Sequence, residues 1–187
     1  NALAQSFYKR GADVSIISFS LQYPSFLFPG TTQYEEGCPP KNIRINNLIN
    51  SINPFSWFIT ANKINKNNPD YVIIRYWLPF MAPCLGTIAR LLNKNIKILA
   101  ITDNIIPHEK RIGDKLLTNY FIKGCNYYVA LSSSVLKDLS LFTNTKNKIF
   151  IPHPIYNIFG NKISKKEALL KLDLNPKDRY LLFFGFI

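Results

Sequence analysis

Apolar and polar positions along this chain fall into blocks whose period keeps changing. Ala2, Leu3, Ala4 and Phe7 recur at helical spacing, and Gly11 follows Lys9-Arg10, which predicts the end of a helix and its C-terminal glycine. Asp13–Phe19 then reads as a strand. From Ser20 to about Lys41 the text is loop-like, punctuated by Pro24, Pro29, Gly30, Gly37, Pro39 and Pro40, and rich in aromatics: Tyr23, Phe26, Phe28 and Tyr34. Long aromatic loops tend to be functional.

Beyond this loop the alternation becomes regular. Helices are predicted around 54–66, 80–92, 113–123 and 133–142, and strands over Tyr71–Arg75, Ile96–Ile101, Tyr127–Leu131 and Lys148–Ile151. The strands are short, nearly continuous apolar runs, the pattern of a parallel sheet buried on both faces. The expected fold class is therefore α/β, a doubly wound, Rossmann-like parallel sheet. Such a domain normally opens on a strand. Because this text opens on a helix, a first strand is expected before Asn1. A Pro-containing link, Ile151–Tyr156, leads to a helix over Lys165–Leu172 and a last strand, Tyr180–Ile187. The expected organisation is one domain over 1–155, then 156–187 as linker, helix and opening strand of a second.

Composition narrows the function. The chain has 187 residues and is 47% hydrophobic, enough for a sizeable core; 23 Lys+Arg against 11 Asp+Glu leave a net charge of +12, which favours anionic partners. Many lysines sit among asparagines, as in Asn62–Asn68, where a solvated surface explains them equally well. Cys38, Cys84 and Cys125 are scattered, so neither a zinc site nor a disulfide framework is expected. Reduced thiols suit a cytoplasmic location. No apolar run approaches membrane-spanning length. Phosphate-loop, dinucleotide-fingerprint, nucleophile-elbow and Asp-x-Asp motifs are absent, as are RNA-recognition and zinc-finger signatures.

In open parallel sheets, ligands bind beyond the carboxyl ends of the strands. Those ends carry Ser18 and Ser20; Arg75, Tyr76 and Trp77; Thr102, Asp103 and Asn104; Ser132, Ser133 and Ser134; and His153. Each has a plainer reading. Asp103 and Asn104 could satisfy turn N–H groups, Ser132 could cap a helix, Arg75 could pair with a nearby carboxylate, and His153 could be a rigid turn residue between prolines. Pro107-His108-Glu109 could open a helix, or could place a proton acceptor or hydroxyl ligand at the rim.

Taken together, Thr102–Asp114 (TDNIIPHEKRIGD), Leu131–Leu139 (LSSSVLKDL), Ile151–Gly160 (IPHPIYNIFG) and Leu181–Ile187 (LLFFGFI) resemble a bacterial glycosyltransferase of the GT4-like, GT-B group. Ser18–Glu35 and Arg75–Leu92 share the resemblance, which spans nearly the whole chain. It implies two Rossmann-like domains across a cleft, this one mainly receiving the acceptor. The activity implied is metal-independent transfer, with retention, of a sugar from a nucleoside diphosphate sugar to a glycan or lipid-linked acceptor, as in polysaccharide biosynthesis. The nucleotide-sugar is a co-substrate, with no further cofactor or metal. Relatives often carry histidine where Asp103 stands, so His108 matches their pattern better. The resemblance casts Asp103 and His108 as catalytic, and Arg75, Asn104, Glu109, Ser132 and His153 as substrate-binding. A peripheral contact at the inner membrane face follows from the basic charge, and nucleic acid is not expected. The chain alone, with half the cleft, is expected to be inactive. The alternative is a non-catalytic nucleotide- or nucleic-acid-binding module on the same scaffold.

Overall fold

The computed structural model describes the chain apart from residues 26–32, 34–38, His108, Lys110, 155–159 and 184–187. The chain divides into two compact units, Asn1–His153 and Pro154–Ile187. The first contains α1 (Ala2–Lys9), β1 (Ser15–Leu21), β2 (Arg44–Asn50), α2 (Pro54–Asn67), β3 (Tyr71–Tyr76), α3 (Ala82–Leu91), β4 (Lys97–Thr102), α4 (Asp114–Ile122), β5 (Tyr127–Ala130), α5 (Ser133–Leu139) and β6 (Lys148–Phe150). A 3-10 turn, Pro79–Met81, leads into α3. The second unit holds α6 (Lys165–Lys171), opened by a capping box in which Ser164 and Glu167 satisfy each other's backbone N–H.

Every strand pair is parallel. β1 pairs with β2, and β3, β4, β5 and β6 form a four-stranded sheet in that order. The fold class is thus α/β with parallel sheets and flanking helices, Rossmann-like in its winding. No described helix is long and apolar enough to cross a membrane.

Within the four-stranded sheet the strands alternate between two environments. Ile74, Tyr76, Ile98, Ala100, Thr102, Tyr128 and Ala130 are buried under the helices. Tyr76 stacks flat on Phe121 of α4, with ring centroids 4.2 Å apart, and its hydroxyl meets Thr118 at 3.1 Å. The Tyr128 hydroxyl donates to the carbonyls of Ile122 and Cys125. Gly86 lets α3 and α4 approach closely: a Cβ there would lie 2.9 Å from the Tyr120 ring. On the opposite face Tyr71, Ile73, Tyr127 and Ile149 are exposed. The apolar runs suggested burial on both faces; the described residues cover one face of the four-stranded sheet and leave the other partly exposed.

Two sequence readings need correction. The strand β2 went unread because its text, Arg-Ile-Asn-Asn-Leu-Ile-Asn, carries three asparagines, a residue depleted in strands. It forms because β1 offers a parallel ladder and Ile49 reaches the core. Conversely, Tyr180–Phe183 belongs to no strand, and its side chains are exposed. The rest of that predicted strand, 184–187, lies outside the described residues.

Candidate functional site

Cross-strand register builds the rim. Arg75 pairs with Ile101, so Asp103, two residues further along, lies diagonally across from it on the same face. The Asp103 N–H continues the ladder, donating to the Tyr76 carbonyl at 2.9 Å. From this position Arg75 grips the carboxylate through two bonds, Nε to Oδ2 at 2.6 Å and Nη2 to Oδ1 at 2.8 Å. The Asp103 side chain is 20% exposed and that of Arg75 59%. So exposed a pair contributes little to stability, about 0–1 kcal/mol. It does fix the carboxylate plane, and each oxygen keeps a lone pair for a further donor.

At the ends of β1 and β3 a group of half-buried aromatic side chains packs against the core. Trp77, next after Tyr76, donates its indole N–H to the Tyr23 hydroxyl at 2.8 Å and meets Phe19 edge-on at 6.3 Å. Tyr23 stacks on Phe80 at 6.2 Å. The backbone of Tyr23 is held at both ends by the Gln33 side chain, which accepts from its N–H at 2.8 Å and donates to its carbonyl at 2.6 Å. This joins the carboxyl end of β1 to that of β3. The aromatic character of the 23–34 loop was legible in the sequence, whereas its link to Trp77 and Phe80 was not. The signal available was a polar-tipped aromatic at each of two strand ends. Phe26, Phe28 and Tyr34 lie outside the described residues.

The other expected residues divide. Asn104 is exposed directly after Asp103, and Glu109 is exposed further along the same loop. Ser132 caps α5: its hydroxyl accepts from the Val135 N–H at 3.1 Å and lies 2.8 Å from the Ser134 hydroxyl. His153 follows β6, whose ladder ends with the Ile151 N–H on the Ala130 carbonyl. With strands about 4.8 Å apart, the end of β6 is roughly 10 Å from that of β4 and roughly 14 Å from that of β3. His153 therefore shares the rim but does not adjoin the Arg75–Asp103 pair. His108 lies outside the described residues.

Apart from the exposed Glu167, whose carboxyl the Ser164 hydrogen bonds hold below its ordinary range, the groups with displaced titration lie in or against the core rather than on the rim. Burial pushes Tyr76 up to about 12, against a smaller opposing effect of the Thr118 hydroxyl. Burial likewise pushes the Cys84 and Cys125 thiols up to about 12. None of these supplies a nucleophile or base near neutral pH. A hollow of about 550 Å³, lined by residues including Tyr71, Leu99, Tyr127, Val129 and Lys146, opens on the bare face of the sheet. It shares no residue with the rim and sits toward the amino ends of the strands.

The class these features define is a parallel α/β domain with a polar and aromatic rim at the strand ends. No protein-family model and no curated protein matches the chain.

Proposed function

We propose that this chain is the acceptor-side part of a GT-B glycosyltransferase, moving a sugar from a nucleoside diphosphate sugar onto a glycan or lipid-linked acceptor. The observation that carries the proposal is the clamped Asp103 carboxylate at the end of β4, on the strand-end rim that also carries Tyr23 and Trp77. A carboxylate held in one orientation suits alignment of an acceptor hydroxyl, and aromatic faces suit the apolar faces of sugar rings. The block order Thr102–Asp114, Leu131–Leu139 and Ile151–Gly160 supports the same reading. In the reaction, the acceptor oxygen bonds to the anomeric carbon. The bond to the diphosphate oxygen breaks with its electron pair on the diphosphate, and the hydroxyl proton follows onto that leaving group. Asp103 holds the hydroxyl through its hydrogen. Arg75 positions Asp103, spending two of its N–H donors on the carboxylate. Fixed positive charge for the diphosphate belongs to the donor-binding lobe.

The test is turnover of the complete polypeptide against a panel of nucleoside diphosphate sugars. Asp103→Ala lowers kcat by at least about ten-fold, as loss of a group that aligns the attacking hydroxyl does, while the melting temperature stays put. Unchanged turnover returns Asp103 to a role in the turn alone. The net charge of +12 favours one other reading, a nucleic-acid-binding module. Absence of sugar transfer together with strongly salt-dependent retention on DNA would select it.

A further inference from the structure

The hollow on the open face of the β3–β6 sheet has a chemistry of its own. Strand alternation sends Tyr71, Lys97, Leu99, Tyr127, Val129 and Ile149 to this face, opposite the buried Ile98, Tyr128 and Ala130. Register sets Tyr71 beside Lys97, Leu99 beside Tyr127, and Val129 beside Ile149. Leu99 and Val129 are half-buried and give the hollow an apolar floor. Tyr71, 56% exposed, Tyr127, 37%, and Ile149, 57%, surround that floor. A volume of about 550 Å³ lies in the range of small-molecule sites.

Charge narrows what fits there. The Lys97 ammonium lies 5.2 Å from the centre of the Tyr71 ring and 3.5 Å from its hydroxyl. Lys146, in the segment before β6, lines the hollow and is exposed. Lys148 borders it too, but its ammonium is held by the Ser140 hydroxyl and the Thr143 carbonyl. Among the described residues that line the hollow none is acidic. The nearest carboxylate in sequence is that of the exposed Asp70, whose backbone carbonyl accepts the Lys97 N–H at 3.0 Å. Two ammonium groups thus stand against one carboxylate at the border. Phenol rings over an apolar floor favour a flat aromatic body, and the surplus of ammonium favours negative charge on it. We infer that this hollow is a binding site for a small planar aromatic anion, its ring against Tyr71 and Tyr127 and its charged group in reach of Lys97 and Lys146. Leu99 precedes Asp103 by four residues on β4, about 13 Å along the strand, so this site is separate from the rim. The inference does not depend on the sugar-transfer reading.

The test is equilibrium dialysis of the complete polypeptide with 2-naphthoate. The wild type binds it, and added salt weakens the binding. The neutral 2-naphthalenemethanol and the saturated decahydro-2-naphthoate each bind at least about three-fold more weakly, the first lacking the charge and the second the ring contacts. Tyr71→Ser/Tyr127→Ser weakens 2-naphthoate binding by at least about ten-fold, with the circular dichroism spectrum unchanged. Should that variant not fold, Lys146→Glu weakens binding about three-fold and lessens its salt dependence. Phe55→Ser, on α2, where Phe55 is 79% and Phe58 51% exposed, leaves binding as it was, which places the ligand in the hollow rather than on those other exposed rings. The inference is overturned if the complete polypeptide fails to bind 2-naphthoate, as it would if another segment covered this face. It is equally overturned if the saturated analogue binds as tightly, if the folded hollow variants bind undiminished, or if Phe55→Ser removes the binding. Sugar transfer is not measured in this experiment, so loss of either proposal leaves the other standing.

Discussion

The two faces of the β3–β6 sheet are made from equally apolar strand text and have opposite fates. On one, Tyr76, Ile98, Ala100, Tyr128 and Ala130 share one core cluster with buried residues of α2, α3, α4 and α5. On the other, Ile73, Tyr127 and Ile149 face solvent, and Arg75 with Asp103 closes the row. The difference follows from the direction of winding. The strands run β3, β4, β5, β6 in both sequence and space. Each right-handed crossover steps the same way and so delivers its helix to the same face. The covered face therefore becomes core. The open face, and the rim where it ends, carry what chemistry the domain displays.

The sharpest way to break this comparison is to empty the covered face. Phe121→Ala removes the partner of Tyr76 and should cost about 3–5 kcal/mol, read by chemical denaturation; a loss under about 1 kcal/mol would mean this face is not the core. Next is alkaline pH. The Cys84, Cys125 and Tyr76 groups have folded pKa values of about 12, raised above their ordinary values by burial. Above the unfolded thiol value of roughly 8.5, the unfolded chain releases protons that the folded one keeps. Stability should accordingly fall as pH rises through and beyond that point. Below it the buried Cys84 thiol should resist iodoacetamide until the chain unfolds. A flat stability profile from neutral to strongly alkaline pH would contradict the burial.

Smaller effects sharpen the picture. The buried Thr60 hydroxyl has no hydrogen-bond partner among the described residues, so Thr60→Val should leave stability unchanged or raise it by about 1 kcal/mol. Asp103→Ala should cost under about 1 kcal/mol, because its partner is exposed; a larger loss would make the pair structural and weaken its case as a site. Ile73→Thr, on the open face, should move stability by no more than about 0.5 kcal/mol. A larger cost there would reveal a cover on that face.

Much of this architecture was legible from periodicity. β3, β4 and β5 and the helices α2 to α5 around them begin and end within a few residues of the apolar runs and helical spans that predict them. What failed was context. β2 is too polar to read as a strand by itself, and Tyr180–Phe183 is apolar enough to read as one yet is in no strand among the described residues. At the rim, the residue types at the strand ends were visible in advance. That Arg75 spends two donors on Asp103 was an alternative the sequence left open, and the Tyr23–Trp77–Phe80 contact was not foreseeable.

Sequence by itself determined the alternation of short apolar strands with helices, and hence a parallel α/β domain, because backbone period and side-chain polarity are local properties. It also determined that the strand ends would be polar and the surface cationic. Tertiary structure alone decided which sheet face is covered, which carboxylate Arg75 holds, and that α2 carries aromatic side chains outward. Those outcomes depend on crossover direction and cross-strand register, which join residues 28 positions apart, as in Arg75 and Asp103. Local periodicity contains no record of such pairings.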